Sequence, residues 1–412
     1  NNMDRRGGWF QNLFGFEESA ALTSKCLKSN FIITNAADDA ILLESKINSR
    51  KFNCGKFSTP SLRSIRSNIP KSGNFKSTVV DNFRYSHDVI GDALPMHSQY
   101  GGAVFQVASQ FNCLEFTTFH QTPECGVDIY QYDHTQGPAC AMACGAGTVF
   151  RNYFAPVFLP GQSSPLQYGQ SIEHQINNLD QLELAVENHK HNYWYVQNGY
   201  TFSKDAEHLC AFNKMLSSKT QNEVLDLMGD IKVGLHEDVG VTFATRYVPL
   251  TETTSSEKMK DIRVTQVYSS ALSCSYSGVN NEHWAPLAEL VLNATYEATV
   301  LIALLHAYKC QRNKRQLQQT DGSELPGCSP YSNDVFLTFI GGGVFGNEKH
   351  WIASAIGRAL AVASQSLQLL QQPHDQDPLQ LRVHVCHYRS IDVDMQCLVD
   401  KSYHENMANK IV

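Results

Sequence analysis

The run from Asp334 to Leu360, DVFLTFIGGGVFGNEKHWIASAIGRAL, leaves this chain few ways to fold. Its VFLTFI has the length and composition of a buried strand. Gly341, Gly342 and Gly343 then supply backbone freedom, and Trp351 to Leu360 shows helical spacing. The pattern predicts a strand, a glycine loop and a helix that starts where the glycines end. Such a loop aims several unpaired N–H groups, backed by the helix dipole, at an anion above it. Phosphate is the natural candidate.

The other strands and helices needed around this unit are legible from Val79 onward, where short apolar runs alternate with alanine-rich segments. This is the pattern of an α/β sandwich with mixed or parallel strands. Expected strands are Ala103 to Ala108, Ile231 to Gly234 with Val239 to Thr245, Val264 to Leu272, Val335 to Ile340 and Leu381 to Val385. Expected helices are Pro138 to Gly145, Ala285 to Lys309 and Trp351 to Leu370. Residues 1–70 read as an N-terminal cap, with a short helix entered at Pro60-Ser61. The main domain is then 71–412, with an insertion at 155–217 in which Asn198-Gly199, between aromatic runs, marks a hairpin turn. The glutamine-rich stretch before Asp334 reads as a long surface loop.

Composition removes several classes of function. With 412 residues the chain can bury a large core, and its net charge of −7 without a long basic block argues against duplex nucleic acid. The one basic cluster, Lys309 to Arg315, reads as the solvated end of a helix. The 12 cysteines lack a CxxC pair and are expected to be reduced, buried and intracellular. Neither His189-Lys-His191 nor His384-Val-Cys386-His387 has a zinc spacing, so no metal or cofactor is expected. No run approaches 18 uninterrupted apolar residues, so no membrane is expected either. The expected place of work is the cytoplasm, or a host cytosol for a secreted effector.

The order of four elements sharpens the phosphate reading: VTQVYSSALS, the long EHWAPLAELVLNATYEATVLIALLHA, VFLTFI, then GGGVFG into a helix. In this order the chain resembles a macrodomain, the ADP-ribose-binding module. The resemblance implies a three-layer α/β/α mixed sheet, here with an N-terminal cap and an inserted subdomain. It implies that Gly342, Gly343, Val344, Phe345, Gly346 and Asn347 wrap the pyrophosphate, with Phe345 beside the distal ribose. It also implies that Asp92 receives the adenine, that Asn112, with Gln110 nearby, meets the distal ribose, and that Thr135, Gln136 and Gly137 open the first loop. Asn112 reads equally as a strand-end turn residue, and Gly137-Pro138 equally as the first turn of an ordinary packed helix.

The forms TQGPACAMACGAGTVFRNYF, AVFQVASQFNCLEF and WAPLAELVLNATYEAT are similar to a narrower macrodomain group that removes ADP-ribose from arginine. That implies ADP-ribose and an ADP-ribosylated protein, ubiquitin in the effector branch, as partners. Cleavage at the ribose C1″ passes through an oxocarbenium-like state, which a carboxylate stabilises while activating water. Asp133, just before the glycine turn, is the favoured carboxylate. Glu115 is a second candidate, Gln136 would orient ribose or water, and Glu297 would hold the guanidinium at the pocket rim. Asp128 and Glu124 are also within reach, and each acidic residue reads equally as a solvated charge. Two rival functions stay open: an ADP-ribose reader without catalysis, and a hydrolase of poly(ADP-ribose) or O-acetyl-ADP-ribose. Poly(ADP-ribose) hydrolases carry adjacent glutamates where this chain has Gln136-Gly137-Pro138.

Overall fold

The computed structural model describes residues 8–19, 24–35, 40–70, 82–245, 248–250, 261–319, 332–370 and 378–409. A nine-stranded sheet runs through the molecule. Its strands in chain order are β1 (Phe31–Asn35), β2 (Ile41–Ser45), β3 (Lys51–Ser58), β4 (Phe83–Ile90), β5 (Val104–Ser109), β6 (Gly234–Gly240), β7 (Arg263–Ser270), β8 (Asp334–Leu337) and β9 (Leu381–Tyr388). Across the sheet the order is β1-β2-β3-β6-β7-β5-β8-β9-β4. The five strands from β7 to β4 are parallel, and the remaining pairings are antiparallel. The central parallel strands β5, β7 and β8 are buried along almost their whole length, as strands covered on both faces must be.

Helices cover both faces, which gives the expected three layers. One face carries α1 (Trp9–Phe14), α2 (Ala93–Gln99), α3 (Gln136–Ala143) and α4 (Gly145–Tyr153), whose buried residues share one apolar cluster. The other carries α5 (Asn281–Gln319), α6 (Lys349–Leu370) and α7 (Val393–Asn409), with the shorter helices Leu62–Asn68, Ala206–Ser217 and Gln221–Gly229. α5 is apolar and long enough to cross a membrane by composition, but 83% of its most apolar window is buried among these neighbours. It is the core helix of this layer. Trp284 near its start is fully buried in the same cluster.

Three differences from the sequence expectation have physical reasons. The segment expected as an N-terminal cap, 1–70, supplies strands to the sheet itself: β3 pairs with β6, and β2 and β1 extend the sheet from there. The strand expected from two fragments at 231–245 is β6, with a bulge between His236 and Val239 where Asp238 takes φ 51°. β4, FRYSHDVI, and α7 carry too many polar residues to stand out, because β4 is a sheet edge and few residues of α7 are buried. Pro60-Ser61 does open a helix, and the Ser61 hydroxyl accepts from the Ser64 N–H at 3.3 Å. Of the glutamine-rich stretch expected as a loop, 316–333, residues 316–319 are instead the end of α5, and 320–331 lie outside the described residues. Every described cysteine is free.

Glu297 corrects a site expectation. Its carboxylate is buried, bonded to Arg66 at 2.6 and 2.9 Å and to Arg358 of α6 at 2.6 Å. Burial pushes its pKa up, and the two guanidinium groups outweigh burial and hold it below the usual carboxylate value. Glu297 therefore ties Leu62–Asn68 and α6 to α5, away from the cleft described below. Glu297→Ala strands two cations and should cost about 3–5 kcal/mol of unfolding free energy, read from urea titration.

Candidate functional site

β5 and β8 pair over only two positions, Val104 with Val335 and Phe105 with Phe336, and then part. Beyond that point the backbone of β5 needs other partners on this side. Gln136 supplies them: its Oε1 accepts from the Ala108 N–H at 2.8 Å, and its Nε2 donates to the Gln106 carbonyl at 2.7 Å. One side-chain amide thus stands in for a peptide of the missing strand. The Gln106 Oε1 accepts from the Thr338 N–H at 3.1 Å and holds the departing end of β8. From below, the Tyr296 hydroxyl donates to the Thr338 carbonyl at 2.6 Å and accepts from the Ile340 N–H at 3.0 Å.

The parting of the strands opens a cleft of about 510 Å³ at the carboxyl ends of β5, β7 and β8. This is where open α/β sheets place ligands, and the volume suits a small molecule. Its floor is Ala108, Ser109, Ser269 and Ala271. One lip is the run Asp133, Thr135, Gln136, Gly137 and Pro138, and the facing lip is the glycine loop with Gly341, Gly343, Val344 and Phe345. Gln110, Glu115, Phe116, Thr117 and Tyr200 close one end. No Lys, Arg or His is among these described lining residues.

The glycine loop has its shape fixed from behind. Gly341 and Gly346 both take φ +75°, the left-handed region that favours glycine. A Cβ on Gly341 would lie 2.5 Å from the Ala271 Cβ. The Asn347 Nδ2 donates to the Leu272 carbonyl at 2.7 Å, and the Ser275 N–H to the Phe345 carbonyl at 3.1 Å. These bonds leave the N–H groups of Gly343, Val344 and Phe345 without an acceptor among the described residues. The Phe345 ring packs on Tyr200 at 5.2 Å and on Tyr276 at 5.9 Å.

On the other lip, α3 begins at the cleft. Thr135 is its N-cap, yet its side chain makes no capping bond. The helix comes so close to β5 that a Cβ on Gly137 would lie 2.1 Å from the Ala108 carbonyl oxygen. Only glycine fits there. Asp133 precedes this turn, partly exposed, and its Oδ1 accepts from the Thr135 N–H at 2.8 Å. Of the two acidic side chains that line the cleft, Asp133 is the one that reaches open space. The Glu115 side chain is fully buried against Arg151, 3.2 Å away, and Arg151 lies 3.8 Å from the centre of the Tyr268 ring. Burial pushes the Glu115 carboxyl up to about 7, against the pull of Arg151.

Several expected site residues act at one remove from the cleft. Asn112 is buried in the turn after β5: its Oδ1 accepts from the Leu114 N–H and its Nδ2 donates to Gln175. These are bonds of a strand-end turn, and Asn112 is not among the residues that line the cleft. Gln110 lines the cleft, but its amide is spent on both backbone groups of Phe116. Gln136 likewise lines the cleft, with one donor and one acceptor of its amide committed to β5. Asp92 caps α2, accepting from the Leu94 N–H at 3.0 Å, and does not line the cleft. Gly342 faces Ile352 of α6, and Gly346 and Asn347 brace the loop from outside the cleft.

Tyr200 is the wall residue with the weakest sequence signal. It follows the Asn198-Gly199 turn, whose positive φ values of 49° and 77° match the hairpin expected there. The Gly199 carbonyl accepts from the Phe111 N–H at 3.0 Å, and the Tyr200 hydroxyl donates to the Phe116 carbonyl at 2.8 Å. The insertion is thus pressed against the turn after β5. Phe339 and Ile340 were within reach of sequence reasoning, since they join the expected strand to the glycines.

No protein-family model matches the chain, and no curated protein matches it. Among solved structures it is similar to the poly(ADP-ribose) glycohydrolase of Thermomonospora curvata, with 10% identity over 94% of this chain and 97% of that chain and a TM-score of 0.37. It is also similar to the poly(ADP-ribose) glycohydrolase of Deinococcus radiodurans in complex with ADP-ribose. There the identity is 9% over 86% of this chain and 95% of that chain, with a TM-score of 0.35.

Gln136→Ala would leave the Ala108 N–H and the Gln106 carbonyl without their partner. It should cost about 1–3 kcal/mol of stability in denaturant titration, as expected for an orphaned polar group.

Proposed function

We propose that this protein binds ADP-ribose in the cleft and hydrolyses a glycosidic bond at C1″ of its distal ribose. One observation carries the reading: Gly343, Val344 and Phe345, whose N–H groups have no acceptor among the described residues, line the same cleft as Asp133 at the strand ends. With no cation among the described residues that line the cleft, the pyrophosphate would be held by backbone dipoles, as at other glycine-loop anion sites. Phe345 and Tyr200 would pack against the sugar. Asp133 would stabilise the oxocarbenium-like state and take a proton from the attacking water, which adds to C1″ as the bond to the leaving group breaks. The leaving atom takes up a proton, so water is divided between the two products.

The bond we assign is the one to an arginine guanidine nitrogen of a modified protein, ubiquitin being the substrate implied by the resemblance to the MavL group. A partly exposed carboxylate on the lip of the cleft suits a guanidinium substituent. The second reading is hydrolysis of poly(ADP-ribose), the activity named for the solved structures above. Against it stands the run Gln136-Gly137-Pro138, where the family resemblance leads one to expect adjacent glutamates in a poly(ADP-ribose) hydrolase. A reader without catalysis is the third.

Incubation with arginine-ADP-ribosylated ubiquitin and, separately, with poly(ADP-ribose), following free ADP-ribose, distinguishes the three. The expected result is release from ubiquitin, reduced about 10²–10⁴-fold in Asp133→Ala. Release from the polymer alone favours the second reading, and tight binding without release favours the reader. No release and no ADP-ribose binding would end all three.

A further inference from the structure

Asp133 sits at the end of a short 3-10 helix, Asp128–Tyr132, and its own N–H donates to the Tyr130 carbonyl at 3.1 Å. A single such turn has weak internal hydrogen bonding and little rigidity of its own. Its far side is held by Tyr130, which is buried and whose hydroxyl accepts from the Glu115 N–H at 2.9 Å. Its first residue is held from a distant part of the chain. The Asp128 N–H donates to the Glu18 Oε2 at 2.5 Å, and the Phe10 N–H donates to the Asp128 Oδ1 at 3.1 Å. The other oxygen of Glu18 accepts from the Tyr153 hydroxyl of α4 at 2.6 Å.

The fit around these groups is close. Gly126 takes φ +80°, and a Cβ there would lie 2.6 Å from the Glu18 carboxyl. A Cβ on Gly8 would lie 2.3 Å from an Asp128 carboxylate oxygen. The segment from Gly8 to Glu18 is itself anchored by Trp9, Phe10, Leu13 and Phe14, all buried in the aromatic-rich cluster beneath α3 and α4. Burial pushes the Glu18 carboxyl up to about 7 against the pull of its three donors, Tyr153 and the Val127 and Asp128 backbone. Either protonation state keeps an acceptor for the Asp128 N–H, so the clasp does not depend on charge.

We propose that Glu18 is a positioning residue for the active site: with Phe10 it clasps the 3-10 turn that carries Asp133 and sets where that carboxylate stands. Its effect on turnover rests on the hydrolase reading, whereas its effect on the turn does not. Glu18 touches neither the cleft nor the glycine loop. Its loss should misplace Asp133 while leaving the grip on the pyrophosphate intact, and displacements of this size are costly to turnover.

The test compares Glu18→Ala, Glu18→Asp and Glu18→Gln in the full chain. Gln keeps an acceptor for Asp128 and a donor for Tyr153, so it should restore wild-type behaviour. Asp shortens the reach and should lie between, and it serves if the Ala variant does not fold. Amide hydrogen exchange should rise about tenfold over residues 128–135 in Glu18→Ala and stay unchanged over 341–347. With an active enzyme, kcat should fall about tenfold or more while ADP-ribose affinity changes by less than about threefold. Unchanged exchange at 128–135 would overturn the proposal, as would loss of ADP-ribose affinity equal to the loss in kcat. If the wild-type chain releases no ADP-ribose, the functional reading fails, and the exchange result alone decides the clasp.

Discussion

The cleft depends on the early parting of β5 and β8. Two parallel strands that separate inside a protein expose backbone donors and acceptors, and leaving these unpaired costs more than ordinary side-chain contacts return. The opening persists because the two glutamine side chains and Tyr296 take over the bonds of the absent ladder. Gln136 does this from the first turn of α3, which brings that helix start to the end of β5. Tyr296 and Gln106 do it for the residues leading into the glycine loop. The same bonds that make the opening tolerable also place its two lips.

The lips differ in how they are held. The glycine loop is braced locally, by Asn347, Ser275 and two residues with left-handed backbone. The Asp133 lip is braced by distant elements: α1 and Glu18 on one side, the buried Glu115 and Arg151 on the other. The insertion completes the end wall through Tyr200. A glycine loop with local support and an Asp133 lip supported from far along the chain can change independently of one another.

Legibility in the sequence followed this division. The glycine loop was readable because strand, glycines and helix are contiguous and each has a local signature. Asp133 and Gly137 were readable for the same reason, although Gly137 is required by a close approach to β5 that no local pattern shows. The bracing of β5 by Gln136 was not legible, since its partners are backbone groups 28 and 30 residues away. Glu297 looked like a pocket carboxylate because the arginines that pair with it lie on two other helices. The N-terminal strands were hidden because β1 is an exposed edge with little period-2 burial. Tyr200 and Glu18 act through contacts across more than 80 and 100 residues, beyond any local pattern.

The central claim is that Gly343 to Phe345 grip a pyrophosphate with backbone N–H groups. Titration calorimetry with ADP-ribose tests it most directly, using the wild-type chain and Gly343→Glu. A Cβ at Gly343 meets nothing within 4 Å, so this variant should fold normally while placing a carboxylate over the anion site. The account predicts one-site binding by the wild type and a loss of at least about tenfold, or 1.4 kcal/mol, in the variant. Equal binding by both, or no binding by a folded wild-type chain, would contradict it.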